Sequence, residues 1–345
     1  MNPIQIPWKT HYYYRNRLTG IERYIYDCIF DGLQNWKQKI PMPPGSKIDK
    51  VYEIYSMVMR DCPLFFHAGV GIRMVEGVKA TLLPQYRLTM QQYEQQYRLV
   101  CEFVRNSVRQ LKGARRTYDK VRSIHNSMAR HVIYFGIDED DSHNVVGAIL
   151  KQKAVCESIA KAFKLICDAN FIPCIVIFGK STSTDGVQYG TVSEDDKNNN
   201  HAWNMVKIGK SWYNIDVTFD IGAAGFEDKT QIRYDYFCRS DRVFSVNHIP
   251  SGACLPQALK DHSYYRATGN YVKDIPGLRQ LIRKALKAKS SWINFEYDMT
   301  GGIDMSAIRD AARAEINGVH CSSFSTTVNE KIGVATIQLH NQNHH

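Results

Sequence analysis

Apolar positions in the first third of the chain recur at helical steps. Ile21, Ile25, Cys28, Ile29 and Leu33 predict a helix over 18–38. PMPPGS (41–46) breaks it, and Ile48, Tyr52, Ile54, Tyr55 and Val58 predict a second, short helix. Leu64–Gly71 and Val75–Leu83 read as strands joined through Gly71 or Gly77. Two helices follow, over 89–112 and 114–133, separated at Gly113. The second carries Tyr118, Val121, Ile124, Met128 and Val132 as one buried stripe.

The middle of the chain alternates differently. An acidic loop (Asp138, Glu139, Asp140, Asp141) leads to a helix starting near Val155, with Ile159, Ala160, Phe163 and Ile166 on its inner face. Ile172–Gly179, Ala202–Ile208 and Ser211–Val217 read as strands, the last two forming a hairpin through Gly209-Lys210. The polar run SEDDKNNN (193–200) can only be a loop. From Pro250 the pattern predicts a helix over 275–288, a strand Trp292–Tyr297 and a helix over 304–316. Strands Ser322–Val328 and Ile332–His340 close the chain. The order of elements implies an α+β protein in three parts, with boundaries at 1–112, 113–250 and 251–345.

Composition narrows the class. With 44% hydrophobic and 23% charged residues, the 345-residue chain can bury real cores, which excludes a mainly disordered protein. Its longest apolar stretch, Phe171–Phe178, contains Pro173 and falls far short of the ~20 residues needed to cross a bilayer, so no membrane partner is expected. No basic start followed by an apolar run marks a signal peptide. The nine cysteines are odd in number and lack CxxC pairs. That argues for reduced thiols in a cytoplasm, and against a disulfide framework or zinc cage.

The net charge of +10 raises the question of nucleic acid, but the excess is local. Between Met90 and Arg130 nine basic residues face three acidic ones, on the solvated sides of two predicted helices. No nucleic-acid-binding motif accompanies them, and nucleic acid is not an expected partner. No glycine-rich phosphate loop is present, and neither cofactor nor metal is expected.

Candidate chemistry lies in the middle part. Cys156 sits in the first turn of a predicted helix, where the helix dipole and free backbone N–H groups favour a thiolate. A thiolate needs a base, and the base an orienting group. His201 opens one hairpin strand and Asp216 ends the other, almost symmetrically about the turn, so an imidazole–carboxylate bond across strands is natural. Each residue alone has an ordinary reading: a buried cysteine as a small hydrophobe, a histidine at a strand start, an aspartate capping the turn at Thr218.

Together their context is more specific. AVCESIAKAF…HAWNMVKIGKSWYNIDVTFD resembles the core of the transglutaminase-like superfamily, which includes transglutaminases, peptide:N-glycanase-like amidases and many bacterial cysteine peptidases. YDYFCRSDRVFSVNHIP (234–250) resembles the tail that bacterial members carry after the core. The resemblance implies a papain/transglutaminase-like core, a cysteine-bearing helix packed on an antiparallel sheet bearing histidine and aspartate, with flanking α/β domains. It implies Cys156 as nucleophile, His201 as general base and acid, and Asp216 as the orienting residue. Bacterial relatives read Cys-Glu-Gly-Tyr where this chain reads Cys-Glu-Ser-Ile, so Ser158 and Ile159 are expected to reshape the pocket wall. The oxyanion hole would use the Cys156 N–H and a second donor, for which His143, Asn144 and Gln152 are candidates. Trp203 is expected to pack the sheet and wall the cleft.

The reaction implied is thiol acyl transfer on peptide or protein amides, with hydrolysis favoured. The alternatives are transglutaminase-type amine transfer or cross-linking, and a non-catalytic peptide-binding module. The acidic runs 138–141 and 194–196 lead to Cys156 and His201, and would draw in a basic peptide.

Overall fold

The computed structural model describes residues 3–135, 141–182, 200–224, 231–252, 255–316 and 321–341. The acidic positions 138–140 and 194–196 lie outside these, as does the expected steering of a basic peptide by them.

Helices Gly20–Gln34 and Ile48–Asp61 form where the apolar steps predict them, and Met90–Gln110 and Thr117–His131 follow on either side of Gly113. Thr89 starts the third of these with a capping box, its hydroxyl accepting from Gln92 N–H while the Gln92 side chain takes the Thr89 N–H. The first strand of the N-terminal hairpin begins at Ala68 rather than Leu64, because Pro63 starts a 3-10 turn over Pro63–Phe65. The hairpin turns at Gly77, whose φ of +114° suits glycine.

The central antiparallel sheet has the strand order Ser211–Ile215, His201–Ile208, Cys174–Ser181, His248–Pro250. Gly209 makes the tight turn between the first two with φ +61°. Packed on this sheet is the helix Cys156–Ala169, and here the structure departs from the expected amphipathic reading. Every residue from Cys156 to Asp168 is buried, including Glu157, Lys161, Lys164 and Asp168. The helices Met90–Gln110 and Thr117–His131 pack on it, and its charged side chains lie against His11 and His143. Its charges survive burial because they pair one turn apart: Lys161 with Glu157 at 2.5 Å and Lys164 with Asp168 at 2.8 Å.

One apolar core runs without a break from Ile4 to Tyr265, on both sides of residue 112, and takes in Ile332 and Val334. A second core, from Val272 to Leu339, lies between two helices, Ile275–Lys287 and Met305–Ile316, and the C-terminal sheet. That sheet has the order Tyr271–Val272, Trp292–Tyr297, Val334–Asn341, Cys321–Asn329. No helix among the described residues is long and apolar enough to cross a membrane.

Candidate active site

The pairing Asn204↔Ile215 fixes what lies near His201. Continued by one residue it puts Asp216 opposite Trp203, two positions from His201 on the same face of the sheet. Such a diagonal is within reach of an imidazole and a carboxylate. His201 Nε2 meets Asp216 Oδ2 at 2.5 Å. The chain then leaves the strand and enters the short helix Val217–Ala224, where Asp216 Oδ1 accepts the Phe219 N–H at 3.0 Å. The turn-capping role and the imidazole contact therefore coexist, one on each carboxylate oxygen.

A residue without an assigned role in the sequence completes this arrangement. His248, in the edge strand beside Ser181, donates from Nε2 to the same Asp216 Oδ2 at 2.9 Å. Its Nδ1 lies 2.7 Å from Asn247 Oδ1, and Asn247 in turn donates to the Tyr236 hydroxyl at 2.8 Å. The only sequence signal for it was its place in NHIP, at the end of the tail segment. His201, Asp216 and His248 also form the one metal-type cluster among the described residues, their ligand atoms within 4.8 Å of one another. Zinc ligands in a tetrahedral site stand about 3.3 Å apart. The 2.5 and 2.9 Å separations here are hydrogen bonds that a cation would have to break.

Cys156, His201 and Asp216 are sealed from solvent, none more than 1% exposed. Among the described residues no partner lies within hydrogen-bonding distance of His201 Nδ1, and Cys156 is among the groups that act on the ring. Such contacts are commonly loose in a resting site and tighten with substrate. Burial opposes a charged His201 ring. The Asp216 carboxylate, and after it Cys156, overcome that and push its pKa up to about 10. Burial also works against ionised Asp216, yet the His201 charge and the two imidazole hydrogen bonds hold it well below the usual carboxylate range. His248 is shifted the other way, burial lowering its pKa despite Asp216.

Cys156 opens its helix, where the first backbone N–H groups have no intrahelical acceptor. Ser158 ties this turn to the preceding loop. Its hydroxyl donates to the Asn144 carbonyl and accepts the Ala148 N–H at 2.9 Å. Glu157 is drawn down to about 2: burial opposes its charge, and Lys161 and His143 outweigh burial. His143 thus pairs with Glu157 at 3.0 Å.

The other expected site residues are not brought to the thiol by hydrogen bonds. The Asn144 amide donates to Asp141 and accepts the Val146 N–H, both within its own loop. Gln152 is exposed and left-handed, with φ 59°. Trp203 stacks on His201 at 6.1 Å between ring centroids and meets the His248 ring edge-on at 5.1 Å. It is 2% exposed and packs against the two imidazoles. Gly179 gives it room: a Cβ there would come within 2.6 Å of the indole.

With this geometry in view, residues 105–217 match the model of the transglutaminase-like superfamily. This part of the chain is a transglutaminase-like core. The matched stretch contains Cys156, His201 and Asp216 and ends one residue beyond the last. Among solved structures the chain is similar to a crystallised TGase at 16% identity, over 48% of this chain and 47% of that one, with a TM-score of 0.29. A candidate cysteine protease from Cytophaga hutchinsonii matches at 14% identity over 43% and 61%, TM-score 0.28. The periplasmic domain of TgpA from Pseudomonas aeruginosa matches at 12% over 45% and 59%, TM-score 0.27. The chain thus spans between about half and three-fifths of the length of these structures. No curated protein matches it. The transglutaminase-like core is α+β, as its sequence pattern predicted.

Proposed function

We propose that the chain is a thiol acyl-transfer enzyme that hydrolyses peptide or protein amides. The observation that carries this reading is the His201 ring itself. Its Nε2–H is committed to Asp216, so Nδ1 is the nitrogen left to face Cys156, and a ring whose pKa is pushed up to about 10 holds the thiol's proton as an imidazolium beside a thiolate. The thiolate adds to the amide carbon to give a tetrahedral oxyanion at the helix start. His201 returns the proton to the amine nitrogen as the C–N bond breaks, leaving a thioester on Cys156. A water then loses a proton to Nδ1 and adds to the thioester; collapse frees the carboxylic acid and restores the thiolate. We take water as acceptor because it needs no binding site of its own. An added amine would compete with it in the transfer reading. Asp216 and His248 hold the ring without touching the reacting atoms. Cys28, Cys62, Cys101, Cys156, Cys167, Cys174 and Cys238 are free thiols, which supports a reducing compartment such as the cytoplasm.

The test is iodoacetamide labelling at pH 6, read by peptide mass spectrometry. Cys156 is expected to be alkylated ahead of the other eight cysteines, although it is buried. Its chief competitor is half-exposed Cys28, whose thiol pKa is raised by burial. Cys156→Ala should abolish amide cleavage with the fold retained, since losing one sulfur leaves little void. Labelling of Cys28 first, or cleavage by the alanine variant, would overturn the assignment.

A further inference from the structure

A cavity of about 490 Å³ opens between the N-terminal helices and the strand Cys174–Ser181. Tyr13, Tyr14, Tyr52 and Phe178 wall it, and Arg60 lines it. A smaller void of about 20 Å³ shares Tyr52, Ser56 and Phe178 with it and reaches Glu157, the residue after Cys156. Phe178 also belongs to the small apolar cluster that holds Cys156 and Ala202. One aromatic side chain therefore stands between the cavity and the surroundings of the thiol.

Arg60 is only 8% exposed, and its guanidinium is clamped between the faces of Tyr14 and Phe178 at 4.2 and 4.9 Å. Nε donates to the Ser56 carbonyl at 3.3 Å and Nη1 to the Tyr14 hydroxyl at 2.9 Å. Tyr14 is itself fixed by donating to the Val176 carbonyl at 2.7 Å. No carboxylate pairs with Arg60 among the described residues, and these two bonds use Nε and Nη1 and not Nη2. The acidic residues at the mouth are differently placed. Glu22 and Glu53 both pair with Lys50, which leaves Asp49 and Arg17 as the other charges on the lining. A buried, oriented guanidinium without a counter-ion is a receptor for a planar anion.

We propose that this cavity is a carboxylate-binding subsite: Arg60 receives the side-chain or terminal carboxylate of a peptide whose neighbouring amide is presented to Cys156 past Phe178. The proposal rests on the thiol-enzyme reading for the chemical step after binding, but binding itself does not need turnover. It also sets the preferred charge of the substrate at this subsite as negative.

The test uses the full chain carrying Cys156→Ala and two pairs of peptides, one with Glu against Gln at a single position and one with free-acid against amide ends. Calorimetric titration at low salt should show the carboxylate member of at least one pair binding at least tenfold tighter, as expected for a charge-assisted hydrogen bond to a buried guanidinium. Arg60→Gln should bring each pair to within twofold. Arg60→Lys should keep part of the preference, since charge remains but the clamped fork is lost. Each ratio compares two ligands on one protein, so a partly unfolded sample does not imitate it, and a melting curve checks the variants. Equal binding within both pairs by the Arg60-intact protein, or a preference unchanged in Arg60→Gln, would overturn the subsite. Peptide turnover by the Cys156-intact chain without charge preference would sink the subsite and leave the enzyme reading standing. Charge-selective binding with no cleavage would do the reverse.

Discussion

Replacing Asp216 with asparagine tests the centre of the proposed mechanism, because the two side chains share a shape and differ in what they can accept. In the protein one carboxylate oxygen takes two imidazole N–H groups and the other takes the Phe219 N–H. An amide has one oxygen. If that oxygen faces Phe219, its NH2 confronts both imidazoles and forces His201 to move its proton to Nδ1, toward the thiol. If it faces the imidazoles, its NH2 confronts the Phe219 N–H. The first arrangement forces the wrong tautomer toward the thiol and the second leaves a buried donor facing a donor, at a cost of about 1–3 kcal/mol. The larger effect is on charge. Holding its proton up to about pH 10 instead of 6.5 corresponds to on the order of 5 kcal/mol in favour of the charged His201 ring, with Asp216 the first of the groups that raise it. In Asp216→Asn burial acts on His201 with that support gone, and its pKa should fall below 7. Histidine-detected NMR titration reads this directly. Alkylation of Cys156 at pH 6 should slow at least tenfold as the imidazolium beside the thiolate is lost, and amide cleavage by about 10³–10⁴. A His201 ring still protonated at pH 9, with alkylation within twofold of the parent, would refute the reasoning.

Stability should follow the same pair. His201 is raised, so its contribution is complete below pH 6.5 and disappears as pH climbs toward 10; Asp216 is depressed, so its contribution is present above pH 3.8 and disappears on acidification. The urea-unfolding difference between parent and Asp216→Asn should therefore be greatest between about pH 4 and 6.5, and a difference flat from pH 4 to 10 would contradict this. His248→Gln keeps a donor toward Asp216, whereas His248→Phe leaves that side of the carboxylate bare; cleavage by the phenylalanine variant should fall more, about tenfold or beyond, with the His201 titration displaced and KM little changed. Equal loss in both would count against a hydrogen-bonding role. Gly179→Ala drives a methyl into Trp203 and the Ile249 carbonyl and should destabilise the protein by about 2 kcal/mol or more, measured by thermal unfolding; an unchanged melting temperature would mean that the indole packed against the imidazoles yields freely.

Local chemistry determined much of this protein. His201 and Asp216 were singled out only by the resemblance of HAWN and WYNID to a known core, whereas apolar steps of three and four placed the helices and Gly209-Lys210 placed the hairpin. These are signals that neighbours along the chain carry by themselves. The helix Cys156–Ala169 shows where such signals stop. Its pattern looks amphipathic, yet its polar face is buried against the N-terminal segment at His11 and the loop at His143, and only then do Lys161–Glu157 and Lys164–Asp168 become internal pairs. Ser158 reads as a departure from relatives until the loop it clasps at Asn144 and Ala148 is folded against it. His248 lies 32 residues from Asp216, and Arg60 lies 118 residues from Phe178. No periodicity spans those distances. Whether a histidine shares a carboxylate, or an arginine is clamped between two rings, depends on which edge strand pairs with Ser181 and which helix packs on Phe178. Only tertiary packing decides that, because burial turns weak, long-range contacts into strong ones.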